Sequence, residues 1–352
     1  MANRELEKLS DELLTWEQVD QARRWPALLV GNGASRAVWS RFEYRSLYET
    51  ACGFESDGLN AADRELFRRL NTHNFESVLG ALWMTQTVND ILELPSEIAW
   101  VRYTSIRRAL ANALRAVHIP WLTVQPEALA VIREALLTYE WIFSTNYDLL
   151  LYWAIMSALS DPPDVRDFFW RHLHDYRDSP GLCFEPWNVG VPSEVTKILY
   201  LHGGLHLYEL SAFQAVKRVA GDENLLDAFY RIAEKETSAI PLFVAEGNAD
   251  EKRSVIGTSP YLSFAYHQLV LYGEPLVVFG HGLGPSDQHI IDAIARWRNR
   301  ELAISIKPLG ADHILAEKAR YMQMFPGAGI AFFDATTHPL GSPDVNLSAA
   351  AV

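Results

Sequence analysis

The sequence LLVGNGASRA, Leu28 to Ala37, joins an apolar run to two glycines and a predicted helix. An aliphatic run that ends in glycine and then serine is typical of the turn between a β-strand and an α-helix. Gly31 and Gly33 would permit a sharp turn and let a phosphate group approach the backbone without meeting a Cβ atom. The stretch therefore predicts an α/β fold with a phosphate-binding loop that reaches Ser35, and an ordinary strand-to-helix turn is the alternative.

The rest of the chain repeats this alternation of short apolar strands and helices. The stretches WIFSTNYD, TKILYLHGG and PLVVFGHG each begin as a strand and end in polar residues or glycine. Apolar spacing at i, i+3, i+4 and i+7 predicts helices through most of residues 51–140. This pattern predicts a doubly wound, Rossmann-type parallel sheet with a large helical insertion. We expect one domain, 1–352, with a core at 26–50, 141–155, 196–210 and 274–335, a helical insertion at 51–140, and further insertions at 156–195 and 211–273.

Proline and glycine mark the expected loops and turns within these insertions. Pro162, Pro163 and the segment from Ser179 to Pro192 are predicted as loops. The adjacent glycines Gly203 and Gly204 predict a tight turn that separates two strands.

The composition narrows the classes of function. The chain has 352 residues, 49% of them hydrophobic, and a formal net charge of −13, which disfavours nonspecific binding to nucleic acid. The only cysteines, Cys52 and Cys183, are isolated, so we expect neither a disulfide framework nor a bound metal. The N-terminal stretch is charged and no apolar run reaches membrane-spanning length, so we expect a cytoplasmic protein without a membrane partner.

Polar residues follow the strand WIF in the stretch STNYD, Ser144 to Asp148. Ligands of open α/β sheets bind beyond the carboxyl ends of the strands. Asn146 can donate and accept hydrogen bonds, which suits a sugar hydroxyl or an attacking water, and Asp148 could accept from ribose hydroxyls. The alternative is an Asx-turn and a helix N-cap, and for Asp148 taken alone this alternative is the stronger one.

A histidine follows the next predicted strand of the sheet. His202 directly precedes Gly203, a position that suits a general base or a ribose-binding donor. His206 lies four residues further, but an i, i+4 histidine pair suggests metal only on a helix, which the intervening glycines would break. We therefore expect His206 to be an ordinary strand residue.

The last candidate loop is GHGLGPSDQHI, which follows the strand VVF. Here the strand ends at Gly280, and Ser286 and Asp287 open a predicted helix. This loop could receive an adenosine ribose or a second phosphate. Ser286 could equally cap the helix, and the two interpretations are compatible.

The order of the four loops, GNGAS, STNYD, LHGG and GHGLGPSD, resembles that of the sirtuin-like NAD-binding superfamily. The similarity is greatest to zinc-less bacterial sirtuin-like NAD hydrolases of antiphage defence. The stretches NFESVLGAL and FVAEGNADEKRSVIGTSPYLSFAYHQL also resemble segments of that group, and the resemblance spans roughly residues 27–335.

The resemblance implies a role for each matching residue. The family's phosphate loop matches five consecutive residues, Gly31, Asn32, Gly33, Ala34 and Ser35. Asn146 and Asp148 match a pair whose asparagine lies at the nicotinamide ribose, and His202 matches a histidine that contacts the ribose and serves as base. The loop around the adenosine ribose matches Gly280, Ser286 and Asp287.

These matches predict hydrolysis of NAD at the nicotinamide–ribose bond, to nicotinamide and ADP-ribose, in an antiphage effector. Asn146, His202 and Asp148 would be catalytic, NAD would be the substrate, and no metal would take part. The missing zinc-ribbon cysteines disfavour protein deacylation but not NAD binding. An NAD-dependent deacylase, an ADP-ribosyltransferase and a non-catalytic nucleotide-sensing module are the alternatives. Expected partners are NAD or a related nucleotide, a second copy, or a partner defence protein.

Overall fold

The computed structural model describes residues 10–40, 47–73, 75–158, 164–172, 181–186, 195–210, 214–218, 240–244 and 248–347. Its strands are β1 Ala27–Val30, β2 Trp141–Ser144, β3 Val165–Arg166, β4 Phe169–His172, β5 Gly181–Phe184, β6 Thr196–Tyr200, β7 Gly203–Leu210, β8 Gln214–Arg218, β9 Ile240–Phe243, β10 Leu276–Phe279, β11 Glu301–Ile306 and β12 Gly329–Asp334. Its helices are α1 Trp16–Ala22, α2 Asn32–Val38, α3 Leu47–Cys52, α4 Ala61–Arg69, α5 Phe75–Ile91, α6 Glu97–Val117, α7 Pro126–Leu137, α8 Leu150–Met156, α9 Ala249–Thr258, α10 Pro260–Leu271, α11 Gln288–Ala295 and α12 Ala311–Met324.

Seven strands form the central sheet, in the order β12-β11-β10-β1-β2-β6-β3, and every pair is parallel. The aliphatic residues of β1 and β10 are completely or almost completely buried, as expected for strands covered on both faces. The α/β class and the parallel sheet predicted from the sequence are confirmed.

The winding of the sheet reverses beside β1. From β1 the chain proceeds through β2 and β6 towards one edge, and it later returns to β10 on the other side of β1 and proceeds through β11 to β12. Such a reversal is where open α/β sheets bind ligands.

Helices α3 to α7 occupy most of the segment predicted as a helical insertion. Helix α6 is the centre of this group, because α3, α4 and α5 all pack against it. It buries Tyr103, Ile106, Leu110 and Leu114 along one side, at the spacing of a helix face. Among the described residues, no helix combines the length and apolar character needed to cross a bilayer.

A second sheet was not predicted. Its five antiparallel strands run in the order β4-β5-β8-β7-β9. Four of them arise from the segments expected as plain insertions, and β7 lies in the predicted core segment 196–210. The predicted loop from Ser179 to Pro192 contains β5, and Pro162 and Pro163 lie outside the described residues. The predicted Gly-Gly turn was also wrong, because the turn lies at Leu201 and His202 and both glycines belong to β7. Gly203 has φ +69° and lies against the backbone of Leu242 in β9, so a glycine is required inside this strand.

The loops that follow β1 and β10 are in direct backbone contact. Gly33 N–H donates to the Gly280 carbonyl at 2.7 Å, and a Cβ atom on Gly33 would lie 2.6 Å from Gly280 Cα. Gly280 has φ +64°, and a Cβ atom there would lie 2.6 Å from Ala34 N. Gly33 and Gly280 are therefore required by the contact between the two loops, a reason that was not predicted beside the sharp turn and the approach of a phosphate.

We predict that Gly280→Ala destabilises the protein by about 2–4 kcal/mol, because it combines a left-handed backbone with a backbone clash. Gly282→Ala is the matched control, since a Cβ atom on Gly282 meets nothing within 4 Å. The measurement is the free energy of unfolding from denaturant titration. Equal stabilities of the two variants would contradict the packing of the β1 and β10 loops.

Candidate functional site

The four candidate loops lie at one edge of the parallel sheet. Val30 is in register with Ser144 on one side and with Phe279 on the other, and Ser144 is in register with Tyr200. Four neighbouring strands therefore end at the same level.

The candidate residues follow directly beyond this level. Gly31 and Gly280 come one residue after their strands, and Asn146 and His202 come two residues after theirs. The structure thus brings together at one edge the loops that the sequence analysis singled out.

The side chains of Ser35, Asn146 and Asp148 form a buried hydrogen-bonded group. The Ser35 hydroxyl donates to Asp148 Oδ2 at 2.5 Å, and Asn146 Nδ2 donates to Ser35 Oγ at 2.9 Å. Because a carboxylate only accepts, the single Ser35 proton points to Asp148, and Ser35 can only accept from Asn146. The amide of Asn146 must therefore turn its NH₂ group towards Ser35.

This arrangement leaves the amide oxygen of Asn146 as a buried acceptor. Asn146 Oδ1 has no hydrogen-bond partner among the described residues, although the side chain is buried. Ser144 Oγ accepts from the backbone N–H of Asn146 at 3.1 Å and so shapes the loop. A buried polar atom without a partner costs about 1–3 kcal/mol, and this cost is a reason to expect a ligand or water there.

Ser35 does not cap a helix, whereas Asp148 makes the Asx-turn contact that was given as its alternative role. The N-cap of α2 is Gly31, so Ser35 lies within the helix and does not cap it. Asp148 Oδ1 accepts from Leu150 N–H at 2.9 Å, which supports the start of α8, while Oδ2 holds Ser35. Asp148 therefore serves the local turn and the polar group at the same time.

His202 is paired with a histidine that the sequence interpretation missed. His202 Nε2 lies 2.9 Å from His289 Nε2, and both rings are buried. Burial, assisted by the nearby Lys252 ammonium, holds the pKa of His202 well below its usual value and lowers the pKa of His289 to about 4. Both rings are thus neutral near pH 7, and the contact between them holds one shared proton.

An ion pair between Lys252 on α9 and Asp287 in the loop after β10 lies beside these histidines. Lys252 Nζ donates to Asp287 Oδ1 at 2.6 Å, and both side chains are largely buried. Ser286 is exposed in the 3-10 turn Pro285–Asp287. It does not cap α11, whose N-cap position is Asp287, and no side-chain capping bond is made there.

His202, Asp287 and His289 form a group that could hold a metal ion. Each offers a ligand atom, and these atoms lie within 4.8 Å of one another. The ammonium of Lys252 contacts the same carboxylate, however, and its positive charge opposes a further cation in this buried place. The expectation of a metal-free protein stays a prediction.

Two further histidines, His281 and His206, are also buried. His281 Nδ1 accepts from Leu283 N–H at 3.0 Å, and burial lowers the pKa of His281 to about 4. His206 lies within β7, as expected, and packs between the rings of Tyr152 and Tyr200. Neither ring nitrogen of His206 has a hydrogen-bond partner among the described residues.

The residues that sequence reasoning missed are His289, Lys252 and His281. Two of them lie inside the quoted stretch GHGLGPSDQHI, where only Gly280, Ser286 and Asp287 were considered. Lys252 lies on α9, far from the motif loops along the chain, and no local pattern could have indicated its pairing with Asp287.

A family described as a domain of unknown function (DUF4917) matches residues 28–339, and the chain belongs to it. The matched range includes β1 from its second residue onward, all four candidate loops and β12. No curated protein matches the chain.

The buried neutral histidines predict a pH-dependent stability. In the unfolded chain each histidine titrates near pH 6.5, so between pH 6.5 and about 4 the unfolded state binds more protons than the folded state. The free energy of unfolding should therefore fall with decreasing pH in this window, by up to about 1.4 kcal/mol per pH unit for each such histidine.

His289→Gln should make this pH dependence shallower by close to one proton. His267→Gln, at an exposed position, is the matched control and should leave the dependence unchanged. The measurement is denaturant unfolding at a series of pH values. Identical slopes for wild type and His289→Gln would show that His289 is not held neutral by burial.

Proposed function

We propose that this protein hydrolyses NAD at the nicotinamide–ribose bond and releases nicotinamide and ADP-ribose. The observation that carries the proposal is the unpartnered, buried Oδ1 of Asn146 at the edge where four parallel strands end. A ribose hydroxyl or a water molecule would supply the missing hydrogen bond.

The position of the site supports a dinucleotide as substrate. The sheet reverses between β1 and β10, and mononucleotide halves of Rossmann-type folds bind dinucleotides across such a reversal. Arg36, on α2, has a buried Nε without a partner among the described residues and would contribute positive charge towards a pyrophosphate. Gly280, Ser286 and Asp287 would border the adenosine end, in line with the resemblance to sirtuin-like proteins.

Cleavage of the nicotinamide–ribose bond needs little general-acid catalysis. The nicotinamide leaving group carries the positive charge of the pyridinium ring and departs neutral, and the anomeric carbon passes through an oxocarbenium-like state. Water then adds to that carbon and loses a proton. The protein must hold the ribose, aim the water and receive the proton.

Asn146 would hold the ribose or aim the water, and His202 would receive the proton. Asn146 would accept from a ribose hydroxyl or from the attacking water through Oδ1, because its NH₂ group is held by Ser35. The resemblance assigns His202 the role of base, and its neutral ring can accept a hydrogen bond or a proton, although burial holds its pKa well below the usual value and makes it a weaker base than a free histidine. Asp148 would act through Ser35, which it holds in the orientation that Asn146 requires.

None of these steps uses a metal ion. A role as an antiphage effector rests on the resemblance alone.

We expect the purified chain to convert NAD to equal amounts of nicotinamide and ADP-ribose with no added co-substrate. Asn146→Ala should remove nearly all of this activity, because the amide contacts the ligand. Chromatographic quantification of both products over time is the measurement.

Asn112→Ala is the matched control, since Asn112 lies on α6 and donates to the backbone carbonyl of Asp57 and is not one of the candidate residues, and this variant should retain activity. His202→Ala should also lose turnover. Circular dichroism would establish that both inactive variants are folded. Full activity in folded Asn146→Ala and His202→Ala would overturn the proposal, and cleavage only with an acylated lysine peptide would favour a deacylase.

A further inference from the structure

The hairpin of α5 and α6 exposes an unusual amount of apolar surface. Among the described residues, fourteen large hydrophobic side chains are exposed, and seven of them fall within residues 84–101. These seven are Met84, Val88, Ile91, Leu92, Leu94, Ile98 and Val101. We call them the hairpin face. Monomeric proteins rarely leave so concentrated an apolar patch open to water.

The spacing of the hairpin face is that of helix pairing. Met84, Val88 and Ile91 lie at i, i+4 and i+7 on α5, and Ile98 and Val101 lie at i and i+3 in the first turns of α6, while Leu92 and Leu94 lie in the connection between the two helices. Such stripes are the seams through which helices pack side by side. The inner sides of α5 and α6 are already used, because Leu79, Leu82 and Tyr103 are buried in the core. The hairpin therefore carries a second, outward seam.

The charges around the hairpin face are divided along its length. Residues 84–101 include Asp90, Glu93 and Glu97, all exposed, and no lysine or arginine. Basic residues begin immediately afterwards on α6, with Arg102 and the exposed Arg108. One end of the outward surface is acidic, and the adjoining end is basic.

We propose that the hairpin face is the interface with a second copy of this chain, which packs antiparallel through a two-fold axis near Ile98. A second copy supplies the same pair of apolar stripes, so two hairpins would complete a four-helix bundle. The antiparallel direction places Glu97 of each copy near Arg102 of the other, whereas a parallel direction would place Glu97 against Glu97.

Arg102 can take part in such a pair without leaving its present partners. Its Nη1 donates to Asp63 and Asn60, and the guanidinium has further donors on Nε and Nη2. Its side chain is about one-third exposed, on the same helix as Ile98 and one turn further along.

The same charges argue against a membrane as the occupant. Surfaces that bind bilayers place lysine and arginine beside their apolar residues, because the cytoplasmic leaflet is anionic. The acidic residues around the hairpin face would be repelled there.

The test is sedimentation equilibrium of the full chain over a wide concentration range. Wild type should form a reversible dimer. Ile98→Glu and Met84→Glu should each raise the dissociation constant by about tenfold or more, since each buries a charge within the interface, at its centre for Ile98 and towards its edge for Met84. Leu122→Glu is the matched control at a fully exposed apolar residue outside the hairpin, and it should dimerise like wild type.

A separate variant, Glu97→Arg, tests the antiparallel direction of packing. Glu97→Arg should weaken the dimer, because it removes the ion pair and sets arginine against Arg102. A tighter dimer in Glu97→Arg would overturn the antiparallel arrangement. A monomeric wild type at every concentration, or an unchanged dimer in Ile98→Glu with a native circular dichroism spectrum, would overturn the interface itself. None of these readouts depends on NAD cleavage.

Discussion

The hydrogen bond from Gly33 N–H to the Gly280 carbonyl is the contact on which the site depends. It joins the loops of the two strands at which the sheet reverses its winding. The contact is possible only because neither residue has a Cβ atom. It docks the first turn of α2 on the β10 loop, and Ser35 on that helix is thereby held against the end of β2. Ser35 in turn sets the orientation of the Asn146 amide. It also gives Asp148 a second role, as the acceptor of the Ser35 hydroxyl.

The polar groups at this edge are held at a cost to stability. Buried carboxylates and ammonium groups need partners, and here Asp148 has Ser35, and Lys252 has Asp287. The histidines instead remain neutral. The Oδ1 of Asn146 stays unmatched among the described residues. Uncompensated polar atoms of this kind, gathered where four strands end, are typical of binding and catalytic sites.

Six of the seven parallel strands could be predicted because each is an apolar run that ends in glycine or a polar residue, as in Leu28 to Gly31, whereas the two-residue edge strand β3 lies in a segment predicted as an insertion and was missed. The position of Asn146 and His202 followed from the same rule, since neighbouring parallel strands end together. The contacts of Ser35 with Asn146 and Asp148 could not be predicted, because they join residues more than 100 positions apart in the sequence. The second sheet was missed because only β7 was predicted as a strand, and its four partner strands are only four or five residues long. His289 and Lys252 acquire their roles only through contacts distant in sequence, which no local spacing encodes.

The most direct test of this account is a crystal structure of the Asn146→Ala variant soaked with NAD. The account predicts electron density for an intact dinucleotide that crosses the β1 and β10 loops, with its nicotinamide ribose beside His202 and the position vacated by the Asn146 amide. Well-ordered NAD at any other place, or an empty edge in crystals soaked at saturating NAD, would contradict it.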